Sequence, residues 1–118
     1  MYIHRDQIIN YLLGNVACIA DQKYQERVWI KGEGPECDDF NETVCQFFDA
    51  ADPVLDDYKN FNISDSQYHL LTNFREKFEI FCNDHYEPEQ FISSPEWTHI
   101  SEMAKAVLEA FNYKKIKD

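Results

Sequence analysis

The sequence predicts an all-α fold: one domain, residues 1–118, built as a bundle of about five helices. Three observations carry that expectation. Apolar residues recur at helical spacing, beginning with Ile8, Ile9, Leu12, Leu13, Val16 and Ile19. Three glycines and four prolines leave few tight turns, which disfavours a many-stranded sheet. A hydrophobic fraction of 44%, with nine Phe, seven Tyr and two Trp, supplies a real core despite the charge. A chain of this length buries roughly two thirds of its unfolded surface.

The first helix is expected from Asp6 to about Lys31, with a kink near Asp21. Its end, Arg27-Val28-Trp29-Ile30, has the β-branched and aromatic content of a short strand, but no second strand of comparable quality exists to pair with it. Gly32-Glu33-Gly34-Pro35 is the clearest break. A helix then starts at Asp38 or Asp39, with Glu42 at capping-box spacing and Phe40, Val44, Phe47, Phe48 and Ala51 on its inner face. Asp52-Pro53 is expected to end it and to open a short helix carrying Val54, Leu55 and Tyr58, with Asp52 as cap and Pro53 in the first position.

Ser64-Asp65-Ser66-Gln67 starts the next helix, which runs to about Asn83 and buries Leu71, Phe74, Phe78, Phe81 and Cys82. Tyr86 to Ser93 reads as a loop. Ser94-Pro95-Glu96 opens the last helix, with Trp97, Ile100, Ala104, Val107, Leu108 and Phe111 along one stripe. The lysines at 114, 115 and 117 then complement its C-terminal dipole.

The formal net charge is −11, and it is unevenly distributed. Between Glu33 and Asp65 stand ten carboxylates and one base, Lys59. Eleven bases against twenty-two acids cannot supply the phosphate contacts of direct nucleic-acid binding. No apolar run approaches the ~18–20 residues of a membrane span, and the N-terminus lacks the layout of a signal peptide, so the cytoplasm is the expected location. There the four cysteines stay as thiols: Cys18, Cys45 and Cys82 are expected in the core and Cys37 in a loop.

Catalytic and metal motifs fare poorly. The histidines at 4, 69, 85 and 99 are widely separated, and nothing local marks a nucleophile or base. Cys82-Asn83-Asp84-His85 has the gap of half a zinc site without a second half. Glu96-Trp97-Thr98-His99 is the Glu-x-x-His pair of di-iron bundles, again without a second copy. Gly32-Glu33-Gly34-Pro35 lacks the lysine of a phosphate loop, and the acids lack the alternation of a calcium loop. No catalytic residue, metal or cofactor is expected, and the chain reads as noncatalytic.

The acidic stretch divides into two groups. Asp38, Asp39, Glu42, Asp52 and Asp56 fall at expected helix starts, where each carboxylate gains ~0.3–1 kcal/mol from the dipole and the open backbone N–H groups. Asp49 and Asp57 fall in the expected last turns of their helices, where a negative charge opposes the dipole. Residues that violate a local rule without compensation are candidates for function. Tyr58 stands beside Asp56 and Asp57, and tyrosine is enriched at interface hot spots. The candidate partner-binding residues are therefore Asp49, Asp57, Tyr58, Asp56, Asp52, Glu42, Asp39 and Asp38.

Helical neighbours lie about 5–6 Å apart, roughly the spacing of successive phosphates, so an acidic helical face suits the basic cleft of a nuclease. In size, acidity, helical content and absence of a signal peptide, the chain resembles the small acidic immunity proteins of bacterial toxin–immunity systems, including those of contact-dependent inhibition and bacteriocins. The resemblance rests on these class features and not on a specific motif, and Asp57-Tyr58 is similar to only part of the acid-plus-tyrosine contacts of the helical colicin immunity proteins. That resemblance implies a noncatalytic inhibitor bound to one cognate toxin, most naturally a nuclease, in the cytoplasm; a monomer or weak homodimer is expected. The alternative is an acidic adaptor or nucleic-acid mimic that regulates a basic DNA- or RNA-binding protein.

Overall fold

Side-chain caps at Asp21, Asp39, Ser64 and Ser94 open helices of the computed structural model, which describes residues 5–32, 39–85 and 87–113. Helix α1 spans Arg5–Ala20. It breaks at Asp21, whose extended backbone (φ −107°, ψ 96°) lets its carboxylate accept the Tyr24 N–H at 3.1 Å. The expected kink is thus a full restart: α2, Gln22–Tyr24, runs into a π turn over Gln25–Ile30. Residues 27–30 are helical, and no strand occurs among the described residues. Gly32, at φ +65°, ends the segment in the left-handed region that a residue without Cβ adopts at little cost.

Helix α3 spans Phe40–Asp56, with Asp39 accepting the Glu42 N–H at 2.8 Å as the spacing predicts. A 3₁₀ turn, Tyr58–Phe61, follows and ends at Asn62 in the left-handed region (φ 59°). Helix α4, Asp65–Asp84, opens with the reciprocal Ser64–Gln67 capping box. The expected loop after it contains a one-turn helix, α5, Pro88–Phe91. Helix α6, Pro95–Ala110, starts where Ser94 accepts the Trp97 N–H at 3.1 Å. The Gln67 side chain also donates to the Ala110 carbonyl at 2.9 Å, tying the start of α4 to the end of α6.

One expected boundary is wrong. Pro53 does not end α3; it sits exposed inside a single helix of 17 residues. A proline removes one backbone bond and crowds the preceding turn, at a cost of ~3 kcal/mol or more in a helix interior. Ala50, Ala51 and Val54 are buried on the opposite face, so core packing holds both sides of Pro53 in one register. Asp52 is therefore no cap, and Asp49 lies mid-helix rather than in a last turn.

The packing is a closed square: α1 lies against α3 and α6, and α4 lies against the same two. Fully buried Leu12, Val16 and Ile19 face Phe47, Phe74, Phe78 and Trp97 in one continuous core. At one end, Phe91 packs 4.8 Å from the Trp97 ring and 4.9 Å from Phe40, and Trp29 stands 5.4 Å from Phe40. The one fully buried Gln, Gln25, joins three elements. Its Nε2 donates to the Cys18 and Ile19 carbonyls at 2.8 and 2.7 Å, and its Oε1 accepts the Trp97 indole N–H at 2.9 Å. Ser101 donates to the same Ile19 carbonyl at 3.1 Å. Two of the C-terminal carbonyls of α1, Cys18 and Ile19, are thereby served from α6 and the π turn.

The cysteines do not share one environment. Cys45 is exposed on α3, against expectation, because its position falls on the outer face once Phe47 and Ala51 turn inward. Cys18 and Cys82 are half-buried, and Cys37 lies outside the described residues. Burial, and secondarily the Glu79 charge, push the Cys82 thiol up to about 12. A thiol-specific reagent at pH 8 should therefore modify Cys45 quickly and Cys82 at least ~100-fold more slowly until the chain unfolds. Comparable rates for the two in the folded protein would refute the burial of Cys82. The same shift fixes an alkaline dependence. Below the ordinary thiol value of 9.0 the group is protonated in both states and its contribution is full. As pH rises from there through about 12 the unfolded chain loses its proton first, so stability falls.

Candidate partner-binding face

The exposed side of α3 carries Asn41, Glu42, Cys45, Asp49, Asp52, Pro53 and Asp56. Glu42, Asp49 and Asp56 recur at intervals of seven residues. Because seven residues make almost two turns, they lie nearly on one line, with ~10.5 Å between successive residues. None of the three has an ion-pair partner among the described residues. Pro53 also lacks the N–H that would bond the Asp49 carbonyl, so a backbone acceptor accompanies the Asp49 carboxylate at the middle of the line.

Asp52 differs. Its Oδ1 and Oδ2 receive the Arg75 Nε and Nη2 at 2.6 and 3.4 Å, across the α3–α4 seam. The Arg75 guanidinium also lies 5.0 Å from the centre of the Phe48 ring and reaches Glu79 at 3.4 Å. Asp52 raises the Arg75 pKa further above its ordinary value through that hydrogen bond. Arg75 thus braces α3 on α4 and neutralises one acid. Asp52 is half exposed (50%), so Asp52→Asn should lower stability by no more than ~1 kcal/mol, whereas Asp49→Asn should leave it unchanged. Equal losses in urea titrations of the two variants would contradict the assignment of Arg75 to Asp52. With Asp52 engaged, the remaining unpaired carboxylates are spaced at two turns, about twice the expected 5–6 Å.

Beyond α3, Asp57 precedes the 3₁₀ turn without a side-chain capping bond to its backbone, and its Oδ1 accepts from the Asn60 side chain at 2.7 Å. Asp57 thus stands at the C-terminal end of α3, where its charge opposes the dipole as expected. Tyr58 is half-buried, and its hydroxyl donates to Asp65 Oδ1 at 3.1 Å. Its ring stacks on Tyr68, 4.1 Å between centres and 27° between planes. The bond to Asp65, together with that carboxylate's charge, holds the Tyr58 phenol above its ordinary pKa. Of the remaining candidates, Asp39 serves as the α3 cap, and Asp38 lies outside the described residues.

The structure thus brings Glu42, Asp49 and Asp56 together on one helical line and gathers Asp57, Tyr58 and Asp65 at the α3–α4 connection. Sequence reasoning missed Asp65 and Tyr68 as members of this face, because Asp65 reads as an ordinary helix-start acid and no motif singles out Tyr68. A shallow cleft of about 350 Å³, lined by Asp39, Asn41, Glu42, Cys45 and Gln46, flanks the start of the line. Another, of about 550 Å³, lies between α1 and α6, with Lys23 and Lys105 beside Asp21. No group of three or more His, Cys, Asp or Glu able to hold a metal occurs among the described residues. His85, the other half of the Cys82 motif, stacks on Phe81 at 4.0 Å with its Nδ1 2.9 Å from the Phe81 carbonyl. No helix among the described residues is long and apolar enough to cross a membrane. Comparison with protein-family models, curated sequences and solved structures gives no match.

Proposed function

We propose that this chain is a noncatalytic binding protein that captures and neutralises a basic protein, in the manner of an immunity protein bound to its cognate toxin. The observation that carries the reading is the line of unpaired carboxylates Glu42, Asp49 and Asp56 on the outer face of α3. Glu42 gains from the dipole in the first turn of α3, but the fold gains nothing from Asp49 at mid-helix or Asp56 at the helix end without cations to offset them, whereas a single-sign surface draws an oppositely charged partner and speeds encounter. A basic helix laid along α3, with Lys or Arg at seven-residue intervals, matches the two-turn spacing. A cleft that takes successive phosphates would ask for closer charges. The partner is thus a basic protein, most naturally a nuclease toxin, gripped through a cationic helix on its surface.

The test is co-purification with the product of the gene directly upstream, followed by association kinetics as a function of salt. A stable complex is expected, with an association rate that falls steeply as screening shortens toward ~3 Å at 1 M. A rate indifferent to salt would remove α3 from the interface. Inhibition of a DNA- or RNA-binding factor instead of a toxin would replace the immunity reading with that of an acidic regulator.

A further inference from the structure

The chain contains, within its own fold, an example of how it holds a planar cation. The Arg75 guanidinium lies 5.0 Å from the Phe48 ring centre while its Nε sits 2.6 Å from Asp52. Ring face and carboxylate together suit a guanidinium: it stacks on the ring and forks onto the acid, which a compact, strongly hydrated ammonium does less well. The same two elements recur at the α3–α4 connection. There Tyr58 and Tyr68 form a stacked pair 4.1 Å apart, with the His69 ring 5.5 Å from Tyr68. Asp65 accepts the Tyr58 hydroxyl, and Asp56 and Asp57 directly precede Tyr58 in the chain. All three carboxylates are exposed, and no cation of this chain pairs with them among the described residues.

We propose that the Tyr58–Tyr68 pair with Asp56, Asp57 and Asp65 is an arginine-selective anchor, taking one guanidinium of the basic partner at the end of the α3 line. The inference rests on the reading of α3 as the partner face and adds a division of labour. The Glu42–Asp49–Asp56 line attracts any cation and governs the approach. The aromatic pair supplies the contact that distinguishes arginine from lysine and holds the complex, since tyrosine and arginine are enriched where interface energy concentrates. The Tyr58 hydroxyl bond to Asp65 fixes the orientation of the platform, so little ordering remains to be done on binding.

Hexaarginine and hexalysine peptides separate these roles. Each is titrated at equal ionic strength into protein labelled for backbone amides and tyrosine rings. Both peptides should move the α3 amides. Only hexaarginine should move the Tyr58 and Tyr68 ring resonances, binding about two- to fivefold more tightly than hexalysine. Tyr68→Phe, which keeps the ring, should retain the preference, and Tyr68→Leu should abolish it while leaving the hexalysine affinity unchanged. Equal affinities in the parent protein, or a preference that survives Tyr68→Leu, would overturn the anchor and leave the α3 reading standing. If neither peptide moves the α3 amides, both fall together.

Discussion

Replacing Gln25 with leucine is expected to lower stability by about 3–5 kcal/mol. The side chain is fully buried and makes three hydrogen bonds: two to the Cys18 and Ile19 carbonyls and one from the Trp97 indole. Leucine fits a similar volume but meets none of them. A buried donor or acceptor left without a partner costs ~1–3 kcal/mol, and Ser101 still serves Ile19. The Trp97 N–H thus loses its acceptor, and the Cys18 and Ile19 carbonyls each lose the Gln25 donor. Domains of this kind have only ~5–15 kcal/mol in total, so the variant should melt ~12–20 °C lower. Trp97→Phe removes the indole donor together with part of the buried ring volume. The double variant Gln25→Leu/Trp97→Phe should therefore cost less than the two single losses together, because one orphan has gone. Additive losses in chemical denaturation, or a Gln25→Leu loss under 1 kcal/mol, would show that water takes over these bonds.

Reversing Glu42, Asp49 and Asp56 to lysine is expected to slow partner association by ~100-fold or more at low salt, because steering separates rates of ~10⁸–10⁹ from ~10⁵–10⁶ M⁻¹s⁻¹. The change removes three negative charges and adds three positive ones on one helical line. None of the three side chains is paired among the described residues, so the fold loses no contact. The dipole effects oppose each other: lysine at 42 is unfavourable in the first turn of α3, and lysine at 56 is favourable in the last. Net stability should stay within ~0.5 kcal/mol of the parent. The difference in association rate should shrink as salt rises, since a Debye length of ~3 Å at 1 M screens exposed charges. Stopped-flow rates that remain equal at 10 mM salt would exclude the α3 line as the partner face. Asp52→Lys makes an instructive contrast, because it must also break the Arg75 brace and should destabilise the fold.

These two residues sets differ in how far the sequence exposes them. The acids of α3 are visible as charge in the linear chain, yet their grouping depends on Pro53. Treating Pro53 as a helix start splits the stretch and assigns Asp52 and Asp56 to a capping role. In the folded chain α3 is continuous through Asp56, which sets Glu42, Asp49 and Asp56 on one line and Cys45 among them. Gln25 carries no sequence signal of its importance. A polar residue in an apolar stretch reads as a surface position, and only the ending of α1 at Ala20 and the approach of Trp97 create carbonyl acceptors and an indole donor around it. Arg75 is similar: its partner lies 23 residues away, on another helix.

What the sequence determines by itself is local. Helix starts at Asp39, Ser64 and Ser94 and the restart at Asp21 follow from side chains that reach backbone N–H groups three residues on, an interaction complete within one turn. The apolar spacing determines the all-α class and most of the buried face for the same reason, since helical period is a property of neighbours in the chain. Tertiary structure alone decides whether Pro53 breaks a helix, which acids are neutralised, and where a buried polar side chain finds its partners. Each of those outcomes turns on a balance between a local cost of a few kcal/mol and contacts from elements far away in the chain, and that balance is struck only when the four long helices pack together.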